Sequence, residues 1–252
     1  MSPAIEESGS FSRPAAVLPA ARQAEIVPVP RNEAGCVLNA LNAWIAAALV
    51  LLPIPVGLIG GIGGLGLAAY LYGRSPALAA LYAVIALICG AASLVALVFF
   101  QQVLASRFLL WRASQSFAGR VNLLVRPDDP ESTFVDFLPR GHWGQNMLEP
   151  ATDIGFFKID HSRRELLLEG DLKRYRIPFD AVANCAIEDY TMGREQWEAD
   201  RHFVTVLTVE TSTGPRELPL AGRHLAFTSR RAAERRAQAQ EFCGRILMAL
   251  NG

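Results

Sequence analysis

The stretch from Gly61 to Gly66, Gly-Ile-Gly-Gly-Leu-Gly, has the G-x-G-x-x-G spacing of a dinucleotide-binding turn. Such a turn binds a pyrophosphate only where it follows a strand, opens a helix and precedes, by about 20 residues, an acidic side chain that holds the ribose. No Asp or Glu occurs between Glu33 and Asp128. Pro53 and Pro55 precede the motif, and a central strand does not tolerate proline. The sequence therefore predicts no nucleotide cofactor at these glycines.

Other motifs for catalysis or metal binding are missing as well. The sequence has no nucleophile elbow, no H-E-x-x-H pair and no phosphate-binding loop ending in Lys-Ser or Lys-Thr. The histidines are isolated, and the cysteines are far apart in the sequence: Cys36, Cys89, Cys185 and Cys243. This spacing is not that of a zinc site or a disulfide framework. We expect no catalytic residues, metal or cofactor, and an enzyme would need a site assembled entirely by the fold.

Charge and hydropathy divide the chain into a membrane part and a soluble part. Across residues 38–106 the only charged residue is Arg74. Two apolar runs lie in this region, about Leu41 to Tyr72 and Ala77 to Val103, and each exceeds the roughly 20 residues that a membrane-spanning helix needs. A short turn around Arg74 separates them. The sequence predicts a two-helix transmembrane hairpin over 38–106, with its first helix kinked or broken by prolines.

The glycines of the first run have helical spacing. Gly57 and Gly61 are four residues apart, and so are Gly60 and Gly64. In lipid, small residues let two helix backbones approach closely, because packing drives their association. We expect these glycines to pack against the second helix, where Gly90 to Ser93 offers a small surface. The alternatives are contact with a second copy of the chain, or no specific role.

Arginines predict the orientation of the hairpin. The turn carries one, whereas four follow the second run with no acidic residue among them: Arg107, Arg112, Arg120 and Arg126. The positive-inside rule therefore places both termini in the cytoplasm, most simply at a bacterial cytoplasmic membrane. In the basic juxtamembrane segment 107–126, we expect Arg107 and Arg112 to contact anionic headgroups, to set the topology, or to do both.

Residues 1–37 are rich in Pro, Ala and Ser, a composition typical of disordered chain. They lack the basic segment followed by an apolar core that marks a signal peptide. We expect a mostly disordered cytoplasmic arm over these residues.

Residues 127–252 have the pattern of an α+β soluble domain. Short runs rich in β-branched and aromatic residues, separated by turn signals, predict about seven strands. The end of the chain differs, since Phe242, Ile246 and Leu250 recur at the spacing of one helix face from about Thr228 onward. This order favours a strongly bent antiparallel sheet or partly open barrel, closed at one end by a C-terminal helix.

The strand order, together with the segment GFFKIDHSRRELLLEGDLKRYRIPFDAV, resembles the bacterial pleckstrin-homology-like (PH-like) domains, in which a hairpin of this type runs into an IPF segment. The resemblance covers about Ser132 to Leu250, and the preceding hairpin resembles an arrangement found in bacterial membrane proteins. It implies a domain that binds peptides or lipid headgroups rather than one that performs chemistry. The stretch from Pro139 to Asp153 departs from the pattern.

Three functions remain open. The first is a membrane-anchored, non-enzymatic interaction or scaffold module that presents the PH-like domain to the cytoplasm, with a membrane protein, a cytoplasmic protein or a second copy of the chain as partner. The second is anionic-lipid binding, because relatives of this fold hold phosphoinositides through basic residues. The residues for such contact, to lipid or partner, are Arg163, Arg164, Lys173, Arg174 and Arg176. The third is the enzyme with a fold-assembled site.

Arginines also cluster at the start of the C-terminal helix: Arg230, Arg231, Arg235 and Arg236. Such a run is typical of a solvated helix face. An alternative is contact with the membrane surface. We expect no nucleic-acid partner.

Overall fold

The computed structural model describes residues 11–12, 23–99, 101–143, 151–191, 201–223 and 232–252. They form two compact units. The helical unit is Ala40–Leu109, and the sheet unit takes its described residues from Met1–Asn39, Leu110–Arg223 and Ser229–Gly252.

The first apolar helix is continuous but irregular. Leu52, just before Pro53, keeps right-handed helical backbone angles. The prolines therefore interrupt the α-helical hydrogen bonding without ending the helix. Its parts are α1 (Ala40–Leu51), α2 (Pro53–Gly57), a π-helical segment (Leu58–Gly63) and α3 (Gly64–Leu71).

The second apolar helix is α4 (Pro76–Phe99), and α5 (Gln101–Ala118) follows it. Two spans, Ala40–Leu71 and Pro76–Ala96, are long and apolar enough to cross a membrane. Only 17% of the most apolar window of each is buried. The core helix of a soluble protein would be mostly buried, so this exposure favours helices that need an apolar surrounding. The predicted pair of helices able to span a membrane is present.

The four helix-packing glycines all face α4. A Cβ atom built on Gly61 would lie 3.7 Å from the Cα atom of Gly90. At the other three positions the built Cβ would overlap a side chain of α4: Gly57 with Ser93 Cβ at 2.9 Å, Gly60 with Cys89 Cβ at 2.8 Å, and Gly64 with Ala86 Cβ at 2.9 Å. The missing side chains allow the two helices to approach closely within the hairpin.

The sheet unit contains one curled antiparallel sheet. Its described strands are β1 (Phe11–Ser12), β2 (Glu25–Pro28), β3 (Thr133–Phe137), β4 (Asp153–Asp160), β5 (Glu165–Gly170), β6 (Lys173–Pro178), β7 (Val182–Thr191), β8 (Arg201–Thr211) and β9 (Gly214–Gly222). They lie in the order β1-β7-β8-β9-β3-β4-β5-β6-β2. A single bridge between Ala24 and Thr211 brings the start of β2 to the end of β8. The α+β class and the seven strands predicted after Pro127 are confirmed.

Two strands come from the N-terminal arm, where the composition predicts disorder. β2 pairs along the whole of its length with β6, placing Ile26 opposite Tyr175, and β1 pairs with β7. Ile26 also packs against the core. In the part of the arm that the structure describes, the expectation of disorder is wrong. A Pro-rich segment has little structure alone, but it can pair with the free edge of an existing sheet.

The inner face of the sheet and α6 (Ala232–Asn251) form one core. The rings of Phe157 and Phe242 meet edge to face, with centroids 4.9 Å apart. Cys185 of β7 and Cys243 of α6 are buried free thiols whose Sγ atoms lie 3.2 Å apart. The fold therefore brings together two cysteines that are distant in sequence.

One arginine of the C-terminal helix is buried, although the sequence predicts that it is solvated. Arg235 is buried, and its Nε atom donates a hydrogen bond of 2.9 Å to the backbone carbonyl of Arg201. Arg236 is exposed as expected, whereas Arg230 and Arg231 lie outside the described residues. The run is thus not a uniform charged face, because a long side chain at one helical position reaches a carbonyl of the sheet.

Two glycines of α3 provide a matched test of hairpin packing. Gly64→Ala forces a Cβ against Ala86, whereas nothing lies within 4 Å of the Cβ built on Gly66. We expect Gly64→Ala to destabilise the hairpin by about 1–3 kcal/mol through overpacking. Gly66→Ala should be neutral or stabilising, because alanine favours the helix by about 0.5–1 kcal/mol. Thermal unfolding of the full chain in detergent measures both, and equal shifts would contradict the packing.

Candidate functional site

Arg120, just after α5, is a buried arginine. Its side chain is 1% exposed, and its guanidinium lies 3.9 Å from the centroid of the Phe117 ring. The Nη1 atom donates to Glu169 Oε1 at 3.0 Å and to the carbonyl of Gly170 at 2.7 Å. The Nη2 atom donates to Asp171 Oδ1 at 3.2 Å. This cation is therefore bound to the turn that joins β5 to β6.

Asp171 connects the same turn to the segment that precedes α1. Its Oδ1 atom accepts the backbone N–H of Cys36 at 3.1 Å. Its Oδ2 atom accepts the backbone N–H groups of Val37 and Leu38, both at 3.0 Å. A buried carboxylate that accepts three consecutive backbone N–H groups is well compensated for its lost hydration.

Glu169 and Arg174 complete the network. Glu169 Oε1 accepts a 2.8 Å hydrogen bond from Arg174 Nε, and Glu169 Oε2 accepts the backbone N–H of Leu124 at 3.1 Å. Arg174 also reaches Glu33 Oε2 at 3.3 Å. We call Glu33, Arg120, Glu169, Asp171 and Arg174 the clamp. It fastens both chain segments that flank the apolar helices, residues 33–38 and 120–124, to one turn of the sheet unit.

The sequence gives little sign of the clamp. Arg120 is one of four arginines after the second apolar run, and its type and position do not distinguish it from a charge that only sets topology. Its one local signal is Phe117 three residues earlier, at the helical spacing that lets a guanidinium fold back over a ring.

A cleft of about 380 Å³ lies beside the β5–β6 turn, where Leu172 and Lys173 contribute to its lining. Its floor contains Phe137 and Tyr175, whose rings stack with centroids 4.9 Å apart. Its polar lining consists of Arg140, Thr152, Asp153, Lys173, Arg216 and Glu217. Burial raises the pKa of the Tyr175 phenol above its usual range, so the hydroxyl remains protonated.

Asp153 is the buried acid of this cleft. Its Oδ1 atom accepts the backbone N–H groups of Ile154 at 2.8 Å and Leu172 at 3.0 Å, and its Oδ2 atom accepts that of Lys173 at 3.1 Å. Burial, with a smaller contribution from the negative charge of Asp171, raises the pKa of Asp153 from 3.8 to about 6. The backbone hydrogen bonds oppose this rise but do not cancel it.

The basic residues of β6 do not form one cluster. Successive side chains of a strand point to opposite faces. Lys173 therefore lies on the inner side with the cleft, whereas Arg174 and Arg176 lie on the outer side. Arg174 belongs to the clamp, and Arg176 lies 3.5 Å from Glu165. Lys173 is the residue of this group that is exposed and lines the cleft.

The other predicted contact residues lie elsewhere. Arg163 and Arg164 are exposed in the β4–β5 turn, where Arg163 is 3.8 Å from Asp160. On α5, Arg107 is exposed and Arg112 is half-buried beside Trp111. Contact of these arginines with lipid or a partner stays a prediction.

No protein-family model and no curated protein matches the sequence, and no solved structure matches the fold.

The structure of the clamp predicts that substitutions of two nearby arginines, Arg120 and Arg126, differ strongly in their cost to stability. Arg120→Gln leaves the buried Asp171 without its cation and Glu169 with Arg174 alone, which we expect to cost about 3–5 kcal/mol. Arg126 pairs with Asp128 in solvent, with side chains 74% and 69% exposed, so Arg126→Gln should cost less than about 1 kcal/mol. Unfolding of the full chain in detergent, followed by circular dichroism, compares them. Similar losses for the two variants would contradict a clamp that bears stability.

The raised pKa of Asp153 predicts that the stability of the fold depends on pH. Below pH 3.8 the carboxyl is protonated in both the folded and unfolded chain. Between 3.8 and about 6 the folded chain holds a proton that the unfolded chain has released, so this group's contribution to stability falls as the pH rises through that window and stays low above it. Asp153→Asn should remove that fall.

The measurement is the unfolding midpoint of wild type and Asp153→Asn at pH 4.5 and 7.5, at equal ionic strength. Asparagine lacks one acceptor for the backbone N–H groups, which gives an offset at every pH. The informative quantity is therefore how the difference in unfolding midpoint between Asp153→Asn and wild type changes from pH 4.5 to pH 7.5. We expect the variant to be more stable, relative to wild type, at pH 7.5 than at pH 4.5. A difference that is constant with pH would show that Asp153 does not titrate in this range.

Proposed function

We propose that this protein is a membrane-anchored, non-enzymatic interaction or scaffold module that presents a PH-like domain to the cytoplasm. The clamp is the observation that carries the proposal. Both segments that join the apolar helices to the sheet unit are fastened to the β5–β6 turn by buried ionic hydrogen bonds. A domain that only needed a tether would not require buried charges at its attachment points, because a flexible linker serves that purpose.

The location and orientation rest on composition. Two helices long and apolar enough to span a membrane support integral membrane anchoring. Arg107, Arg112 and Arg126 follow the second helix, against Arg74 alone in the turn. This bias supports cytoplasmic termini under the positive-inside rule.

The PH-like assignment rests on element order. Seven antiparallel strands from Thr133 to Gly222 precede one C-terminal helix, which packs on the inner face of a curled sheet. In such an architecture, ligands are taken at the open mouth or the loop ends of the sheet, which supports binding as the role.

Anionic-lipid binding is the second candidate. Arg163 and Arg164, exposed together in the β4–β5 turn, are the observation in its favour. Arg174, however, is committed to Glu169 and Glu33 in the clamp. The enzyme alternative has no specific observation in its favour among the described residues.

Photo-crosslinking in native membranes tests the proposal. A photoreactive amino acid replaces Leu172, which is 40% exposed beside the cleft, in the full-length chain. We expect a discrete protein adduct, since a partner bound to the sheet unit would lie within reach. The matched control replaces Ile59 of the first apolar helix, which is 75% exposed and is expected to face lipid.

Protein adducts at Ile59 but not at Leu172 would show that partners bind the helices, and would overturn the module proposed here. Reporter fusions fix the orientation in the same cells. A reporter in the turn at 73–76 should be active on the outer side of the membrane and one at the C-terminus on the cytoplasmic side. The reverse result would exclude a cytoplasmic domain.

A further inference from the structure

The floor of the cleft is apolar and aromatic. Phe137 and Tyr175 form a stacked pair at its base, and Ile26 and Leu218 flank them. Together with Pro139 and Pro219 these side chains can cover an apolar group. A volume of about 380 Å³ lies in the range of small-ligand sites, and such sites commonly occupy the mouths of curled or barrel-like sheets.

Two cations on the rim of the cleft have no side-chain partner among the residues that the structure describes. The ammonium group of Lys173 and the guanidinium of Arg216 make no hydrogen bond or ion pair with other side chains in the described part of the chain. Arg140, in the same cleft, differs because Glu188 and Glu217 bind its guanidinium from two sides, with Arg140 Nε to Glu217 Oε2 at 2.6 Å. Lys173 and Arg216 are thus the positive charges that remain available to a ligand.

The charge of the lining selects the kind of anion. Glu188 and Glu217 already offset the charge of Arg140, so the charges of the lining that remain for a ligand are Lys173 and Arg216 against the Asp153 carboxylate. A single negative charge would balance these three groups. A phosphate with two charges would be held against two carboxylates at short range, where repulsion between like charges is strong. A carboxylate therefore suits the site better than a phosphate monoester.

We infer that the cleft binds a peptide segment of the partner in which one carboxylate side chain lies next to an apolar side chain. The apolar side chain covers Phe137 and Tyr175, and the carboxylate accepts hydrogen bonds from Lys173 and Arg216. This inference rests on the proposed function, because it names the chemistry of the partner that an interaction module requires.

Peptide binding to the purified full-length chain tests the inference. The chain is placed in nanodiscs of zwitterionic lipid, and the probe is a fluorescent tripeptide, Phe-Asp-Leu with blocked ends. Fluorescence polarisation should show saturable binding. The double variant Lys173→Gln/Arg216→Gln should bind at least tenfold more weakly, and so should Phe-Asn-Leu to the wild-type chain.

The matched control is Arg126→Gln/Arg201→Gln, which removes the same charge from two exposed positions elsewhere on the sheet unit. It should leave peptide affinity unchanged, and unfolding midpoints show that both double variants are folded. Absence of binding, or an equal loss in the control, would overturn the inference. Tighter binding of a phosphoserine peptide, or of nanodiscs with anionic lipid, would assign the site to a phosphate instead.

The two proposals fail separately. Reversed reporter activity or adducts confined to Ile59 would remove the cytoplasmic module while leaving peptide binding by the purified chain intact. Adducts at Leu172 without peptide binding would retain the module and reject the acidic peptide as its ligand.

Discussion

The hydrogen bonds of the buried Arg120 guanidinium hold together the chain segments that flank the apolar helices and the β5–β6 turn. A cation withdrawn from water is stable only where acceptors replace its hydration. Arg120 finds them on the β5–β6 turn and on the backbone of Glu33. The turn in return presents the Asp171 carboxylate to the backbone of residues 36–38. Chain segments far apart in sequence are held by one set of charges.

The directionality of these hydrogen bonds offers a reason for buried charged residues in the clamp, where apolar packing would also give stability. Replacing a buried ion pair by well-packed apolar residues is often neutral or stabilising, so a buried pair is weak evidence for stability alone. Apolar surfaces tolerate sliding, however, whereas a guanidinium and a carboxylate bond only in a narrow range of geometry. Gly170 adds to this constraint, because a Cβ there would lie 2.6 Å from Asp153 Oδ2 and from the carbonyl of Lys173. A residue with a side chain at position 170 would therefore push the turn away from Asp153.

Local patterns in the sequence predicted the elements well. β4 and β5 form a hairpin within the segment that carries the predicted hairpin, and the C-terminal helix follows its apolar spacing. The contact of the glycines with the second helix could be predicted because small residues at i, i+4 favour close helix packing in lipid. Contacts between distant segments were not readable. Apart from Phe117 three residues earlier, no local pattern indicates that Arg120 is buried, and none indicates that Cys185 meets Cys243 or that β2 pairs with β6. Each of these contacts depends on where the rest of the chain lies.

The candidate site shows the same limit within one strand. Lys173, Arg174 and Arg176 read as a basic cluster by proximity in sequence, yet the period of two in a strand separates Lys173 from the others. The other residues that line the cleft come from β2, β3, β4 and β9 and from the segments next to them, so no single stretch of the sequence contains them.

The cleft and the clamp meet at the residues from Gly170 to Lys173. On the clamp side, the Asp171 carboxylate and the Gly170 carbonyl bind residues 36–38 and Arg120. On the cleft side, the backbone N–H groups of Leu172 and Lys173 bind Asp153. The backbone that carries Lys173 is thus the same backbone that holds the segments flanking the apolar helices. A ligand bound at Lys173 as proposed would contact an element that cannot move without breaking buried ionic hydrogen bonds, and its site would be fixed relative to the points where the chain enters and leaves the sheet unit.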